Sequence, residues 1–184
     1  ATGRLINRYA NAGRFGDREA LARECLQLAE QRGDPRSFDV VFTSGALTQT
    51  EDKAGIVSEC FRVLKPGGVL TCYDWLKHDG PVTDDLRYFI RMEGLTYNLI
   101  SLAELARHLA EGGFEDVTTE DASAWYRREA RHEYEYMRGE GRPQAVALIG
   151  EAQTAHMIED WRSMVVVCEK GELRQGYTRG RRPA

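Results

Sequence analysis

Two stretches of the chain gather side chains that can do chemistry: residues 43–49 and residues 73–78. His78 carries an imidazole, which titrates near neutrality and could serve as a general base. Asp74 offers a carboxylate, Trp75 an aromatic wall, and Gln49 an amide that can orient an amine but cannot take its proton near neutrality. Each has a plainer alternative. Asp74 could cap a neighbouring loop, Trp75 could be partial core, and Gln49 and His78 could be solvated loop residues. His108, His132 and His156 lie in charged or ligand-poor helical stretches and read as surface residues. No paired metal-ligand spacing occurs, so no metal is expected.

These stretches gain meaning from the elements that precede them. Residues 38–43, FDVVFT, read as a buried strand, and residues 53–64 carry Ile56, Val57, Cys60 and Leu64 on one helical stripe. Pro66-Gly67-Gly68 stops that helix, and residues 69–74 read as a second buried strand. A strand, a helix and a strand in this order make a parallel unit, and open parallel sheets place ligands at the carboxyl ends of their strands. Those ends are residues 43–49 and 73–78.

Further along, residues 84–92 predict a helix with Leu86, Phe89 and Ile90 inward. Ser101-Leu102-Ala103-Glu104 is a capping box, and the helix it opens ends at Gly112-Gly113. Residues 114–120 supply a third strand. Beyond Asp121 the chain is helical and charged up to Cys168, and residues 173–179 are expected to close the sheet as an antiparallel edge strand. Upstream, residues 18–32 predict a helix ending at Gly33-Asp34-Pro35. The expected fold class is α/β: a single domain over residues 1–184 with a helical insertion over residues 121–168.

Composition narrows the function classes. A chain of 184 residues forms one domain of ordinary size. Its 25 Lys+Arg against 29 Asp+Glu give no reason to expect a nucleic-acid partner. Arg179, Arg181 and Arg182 form a small basic tail that reads as a solvated end. The four cysteines, Cys25, Cys60, Cys72 and Cys168, are widely spaced in apolar contexts and read as small buried hydrophobes of a reducing compartment. No apolar run is long enough to span a bilayer, and the N-terminus lacks a signal-peptide pattern, so no membrane partner and a cytoplasmic location are expected.

Taken in order, F-D-V-V at 38–41, F-R-V-L-K-P-G-G at 61–68 and L-A-E-L-A-R-H-L-A-E-G-G-F-E-D-V at 102–117 resemble the second half of class I S-adenosylmethionine (SAM) dependent methyltransferases. The pattern is most similar to the phosphoethanolamine, glycine, sarcosine and dimethylglycine N-methyltransferases. There a segment with a Trp and a later G-E-x-R-x-G-x-F close the domain, and Asp160-Trp161 and residues 171–177, GELRQGY, stand at that spacing. The resemblance covers roughly residues 38 to 180. It implies a Rossmann-like sheet, SAM as cofactor, and methyl transfer to the nitrogen of a small-molecule amine. Such a reaction needs chiefly alignment, desolvation and removal of one proton.

The resemblance also assigns residues, with departures. It puts Thr43, Ser44 and Gly45 at the cofactor edge, with Gly45 where an acidic residue is expected. Gln49 takes the position of a histidine base, which leaves His78 as the candidate substitute. Asp74 and Trp75 match an Asp-Tyr pair and Tyr97 a substrate-binding tyrosine. The arginine expected near Tyr97 is Leu95 and the phosphate-binding lysine expected after Trp161 is Met164, so only Arg91 could compensate. Without those cations a phosphate monoester is a poor acceptor, because a buried dianion without charged donors is very costly. The family's opening strand, G-x-G-x-G loop and acidic ribose ligand have no match in residues 1–37, where Gly13-Arg14-Phe15-Gly16 reads as a turn. Weak SAM binding by the chain alone, and an unpaired strand edge at 38–43 favouring a homo-oligomer, are therefore expected. The competing expectation is a non-catalytic methyltransferase-like chain acting in protein assembly.

Overall fold

The structure, a computed structural model, describes Arg36 and residues 38–184; the predicted helix at 18–32, the turn at 13–16 and Cys25 lie outside the described residues. Strand β1 (Phe38–Ser44) leads through a 3-10 turn (Leu47–Gln49) into helix α1 (Lys53–Val63), which returns the chain to β2 (Leu64–Lys77). β1 and β2 are parallel, as predicted. Their register jumps from Phe38 opposite Leu64 to Val40 opposite Val69, so Lys65 to Gly68 bulge out of the pairing. Gly67, at φ +76°, provides the left-handed backbone for that bulge.

Helix α2 (Asp84–Glu93) follows β2 and ends on Gly94 at φ 70°. Helix α3 (Leu102–Glu111) opens with the predicted capping box. The Ser101 hydroxyl accepts from the Glu104 N–H at 3.2 Å, and the Glu104 carboxylate accepts from the Ser101 N–H at 2.7 Å. Strand β3 (Glu115–Asp121) is followed by α4 (Ser123–Arg138), α5 (Arg142–Ile149) and α6 (Glu151–Glu169), and then by β4 (Leu173–Arg181). The order of the four described strands is β1-β2-β4-β3.

That order corrects one expectation. β4 is antiparallel, but it lies inside the sheet between β2 and β3 rather than at an edge. Its glycines permit this: a side chain on Gly180 would meet Phe114 Cβ at 2.9 Å, and one on Gly176 would meet Leu102 and the Glu120 carbonyl at 3.0 Å. A second expectation fails at the other end of the sheet. β1 is not fully buried, since Val40 and Phe42 are 56% and 62% exposed while Phe38 and Val41 pack against the core. Alternation along the strand sends Val41 to the face opposite Val40 and Phe42, and Phe38 lies before the register jump.

Each sheet face builds its own core. Leu64, Leu70, Cys72 and Leu76 of β2 pack with Val57, Leu105, Leu109 and Phe114. On the other face, Leu86 and Phe89 of α2 pack with Met164, Val167 and Cys168 of α6 and with Leu173. Cys60, Cys72 and Cys168 are free thiols, and burial pushes Cys60 up to about 11. The basic tail is only partly a solvated end. The Arg182 guanidinium donates to the carbonyls of Phe61 and Leu64, at 2.5 and 2.8 Å, and covers the Phe61 ring at 4.5 Å. A cation thus caps the carbonyl end of α1. Among the described residues, no helix is long and apolar enough to cross a membrane and no cluster of metal ligands occurs.

Candidate functional site

The carboxyl ends of β1 and β2 meet, as expected, in a loop fastened from beneath. Asp74 is only 1% exposed and accepts backbone N–H groups from Leu47 and Thr48, both at 3.0 Å, and from Trp75 at 3.1 Å. The Thr48 hydroxyl also donates to Asp74 and, at 3.0 Å, to the Trp75 carbonyl. Burial pushes the Asp74 carboxyl up while these donors pull it back. Asp74 is therefore a loop fastener, the plainer of its two readings. Its companion escaped notice in the sequence: Lys53, 5% exposed, donates its ammonium to the Leu47 and Thr50 carbonyls. Burial lowers the Lys53 pKa, and the charge of Asp74 opposes that shift. A lysine opening a helix after an acidic pair looks like a surface residue, so the sequence carries no signal for this role.

Strand alternation sends Trp75 to the opposite face from Asp74. There it meets Phe89, Tyr97 and Tyr126, with ring centroids 5.7, 5.6 and 6.0 Å away. Trp75, Tyr97 and Tyr126 are half-buried, whereas Phe89 is fully buried. The predicted aromatic wall is thus assembled, with two rings that the residue spacing does not place there. Tyr126 donates to the Met164 sulfur at 3.1 Å, and Met164 is buried.

Two carboxyls border this aromatic group. Tyr97 donates its hydroxyl to Glu93 at 3.1 Å. The Asp160 carboxyl lies against that of Glu93, and burial with this neighbour pushes Asp160 up to about 7. Both carboxylates in turn raise the Tyr97 phenol, after burial itself, so it stays protonated. Gln175, opposite Trp75 across the β2–β4 pairing, is 1% exposed and turns its amide to the Tyr126 hydroxyl.

The remaining predicted residues are placed as follows. Gly45, at φ +65°, has no atom within 4 Å of where a Cβ would stand, and its N–H donates to the Tyr73 carbonyl at 3.0 Å. It faces open space beside the end of β1. The Thr43 hydroxyl is buried without a hydrogen-bond partner, and Ser44 pairs with Tyr73. Gln49 closes the 3-10 turn through its backbone. His78 is not brought to the aromatic group: its ring accepts from the Gly80 N–H at 3.2 Å and contacts the Pro81 carbonyl at 3.0 Å, within its own loop. A cavity of ≈ 280 Å³ lies beside it, between α3 and the ends of β2, β3 and β4, lined by Lys77, Ser101, Thr119 and Arg174. Arg91 is exposed and rests over the Tyr88 ring at 5.9 Å, whereas Glu93 on the same helix is half-buried.

The described residues fit SAM as one wall of a site. Gly45 leaves room for a ligand and Thr43 holds an unused buried hydroxyl, but this edge presents no acid for ribose hydroxyls.

Comparison with known proteins extends this picture beyond the described residues. A family model described as a methyltransferase domain matches residues 14–72. Sterol 24-C-methyltransferase erg6 of Aspergillus fumigatus is 32% identical over 133 residues, 62% of this chain and 34% of the relative. Phosphoethanolamine N-methyltransferase of Triticum aestivum is 23% identical over 177 residues, 93% of this chain and again 34% of the relative. The chain thus spans about a third of the length of these curated relatives. Among solved structures, Haemonchus contortus phosphoethanolamine N-methyltransferase 2, in complex with phosphomonomethylethanolamine and S-adenosylhomocysteine, superposes with a TM-score of 0.75 at 18% identity. That match covers 82% of this chain and 35% of the other.

Proposed function

We propose that this chain, which its relatives and fold place with the class I SAM-dependent methyltransferases, supplies the acceptor side of an enzyme that methylates the nitrogen of a small amine. The observation that supports this reading best is the aromatic group of Trp75, Tyr97 and Tyr126 at the carboxyl end of β2, bordered by carboxyls and by Met164 rather than by cations. Aromatic faces and carboxylates favour a cationic or neutral amine over a phosphate monoester.

SAM, when bound, supplies the electrophilic methyl carbon. The residues of this chain then have three tasks. Asp74 and Lys53 hold the loop of residues 45–50 in one shape, so that the open edge at Gly45 keeps its position relative to Trp75. Trp75, Tyr97 and Tyr126 exclude water from one side of the acceptor, which strengthens its electrostatic contacts. Met164, where the resemblance implies a phosphate-binding lysine, carries no charge that would select a phosphorylated acceptor.

The reading is tested by methyl transfer with the whole protein on ethanolamine, glycine, sarcosine and phosphoethanolamine, with product mass and position of the methyl group determined. Methylation of a non-phosphorylated amine is expected, and turnover of phosphoethanolamine alone would overturn the assignment. A second reading has its own support. The Aspergillus relative is named for methylation of a sterol carbon at higher identity than the wheat enzyme. Including a sterol in the same assay separates a carbon acceptor from a nitrogen one.

A further inference from the structure

Methyl transfer to an amine leaves one proton without an acceptor among the residues assigned so far. An amine is an ammonium near neutral pH, and nitrogen cannot attack until one N–H bond breaks and its electron pair returns to nitrogen. Gln49 cannot accept that proton, and His78 is engaged in its own loop. The aromatic group, however, borders two carboxyls from different elements: Glu93 at the end of α2 and Asp160 in α6.

We propose that Glu93 and Asp160, with the faces of Trp75, Tyr97 and Tyr126, form a subsite for an organic ammonium group. The carboxyl pair balances the ligand's charge and takes up the proton that the amine sheds. Atoms and charge balance simply: the ammonium N–H breaks, the proton moves to a carboxylate oxygen of the pair, and a neutral amine remains. This inference rests on the reading of this edge as an acceptor site.

Four observations carry it. The carboxyl of Asp160 shares a hydrogen bond with that of Glu93, and its buried oxygen Oδ1 receives no other donor. The Trp75 ring lies 5.6 Å from Tyr97 and 6.0 Å from Tyr126, and all three rings keep part of their surface open, so they can offer aromatic faces to an ammonium ion. Gln175, fully buried opposite Trp75, turns its amide to the Tyr126 hydroxyl and adds a polar group to the same cluster.

Fourth, no described cation neutralises the pair. On α2, Arg91 leans on Tyr88. On α6, Arg162 is bound to Glu159, which also accepts from Tyr88. From α4 the site receives Tyr126, held neutral by burial, and Glu133, whose carboxyl burial raises. Cys168, near Tyr126, is likewise raised by burial, against the opposing charge of Arg127 of α4, which also acts on Asp121. Of the described cations, none is paired with Glu93 or Asp160.

Choline tests the subsite without chemistry, because its quaternary nitrogen cannot titrate or accept a methyl group. Its binding to the whole protein, followed by calorimetry, is compared with that of 3,3-dimethylbutan-1-ol, the neutral carbon isostere. Choline should bind at least about tenfold more tightly at pH 8. Its affinity should fall about tenfold at pH 6, with one proton released on binding, while the isostere shows no pH dependence. The double variant Glu93→Gln/Asp160→Asn should lose both the preference and the proton release. Equal affinity for the two ligands, or pH-independent choline binding, overturns the subsite, and the wild-type titration alone decides this even if the variant fails to fold. A cation preference without N-methylation would support the subsite while sinking the amine reading. N-methylation without the preference would do the reverse.

Discussion

Asp74 and Trp75 are neighbours in sequence and do opposite work, because a strand sends consecutive side chains to opposite faces. Asp74 faces the core and fixes the loop, so Asp74→Ala strands buried N–H groups on Leu47 and Thr48, each at a cost of about 1–3 kcal/mol. It also leaves the buried Lys53 without its nearby carboxylate. Urea unfolding of this variant should show a loss of several kcal/mol; a loss below about 1 kcal/mol contradicts the fastening role. Trp75 faces the aromatic group proposed to hold the acceptor, so Trp75→Ala should weaken acceptor binding by roughly 3- to 30-fold. SAM affinity should change less than twofold by the same titration, and an equal loss in both would place Trp75 elsewhere. That these two residues lie near the carboxyl end of a strand was legible in sequence. Their division of labour was not, because it depends on which face each helix covers.

At the scale of elements, α2 and α6 meet over Phe89, which is fully buried, and over the Glu93–Asp160 contact. Truncating Phe89 to Ala should cost about 3–5 kcal/mol in thermal or chemical unfolding, as for other large core deletions. The carboxyl contact makes a pH-dependent contribution whose sign can be stated. Asp160 is raised from an ordinary 3.8 to about 7, so in that window the folded chain binds more protons than the unfolded one. Stability should therefore be fullest below about pH 4 and fall as pH rises toward 7. Asp160→Asn should flatten that slope in melting curves recorded across pH 4 to 8, and an unchanged slope would assign it to another group. Helix α3 and its capping box were readable because caps are local. The placement of β4 between β2 and β3 was not, because Gly176 and Gly180 reveal their role only once Leu102 and Phe114 press against them. Nor did the run FDVVF show that Val40 and Phe42 would be exposed, since a continuous apolar run does not say which neighbours cover each face.

For the whole molecule, the parallel unit of β1, α1 and β2 sets the edge proposed to take the ligand, and the helices between β3 and β4 lay aromatic and acidic side chains beside it. The resemblance visible in the sequence survived comparison at this scale: the methyltransferase domain model and the superposition on the Haemonchus enzyme agree with it. The pairing of Glu93 with Asp160 was not legible in sequence, because they are 67 positions apart in the chain. The identity of the acceptor decides between the readings. The most direct measurement is methyl transfer from isotopically labelled SAM by the whole protein to ethanolamine and phosphoethanolamine in parallel, with the labelled position read by NMR. Label on the nitrogen of ethanolamine, at a kcat/KM well above that for phosphoethanolamine, is predicted. Label confined to phosphoethanolamine, or found only on carbon when a sterol is supplied, would contradict it.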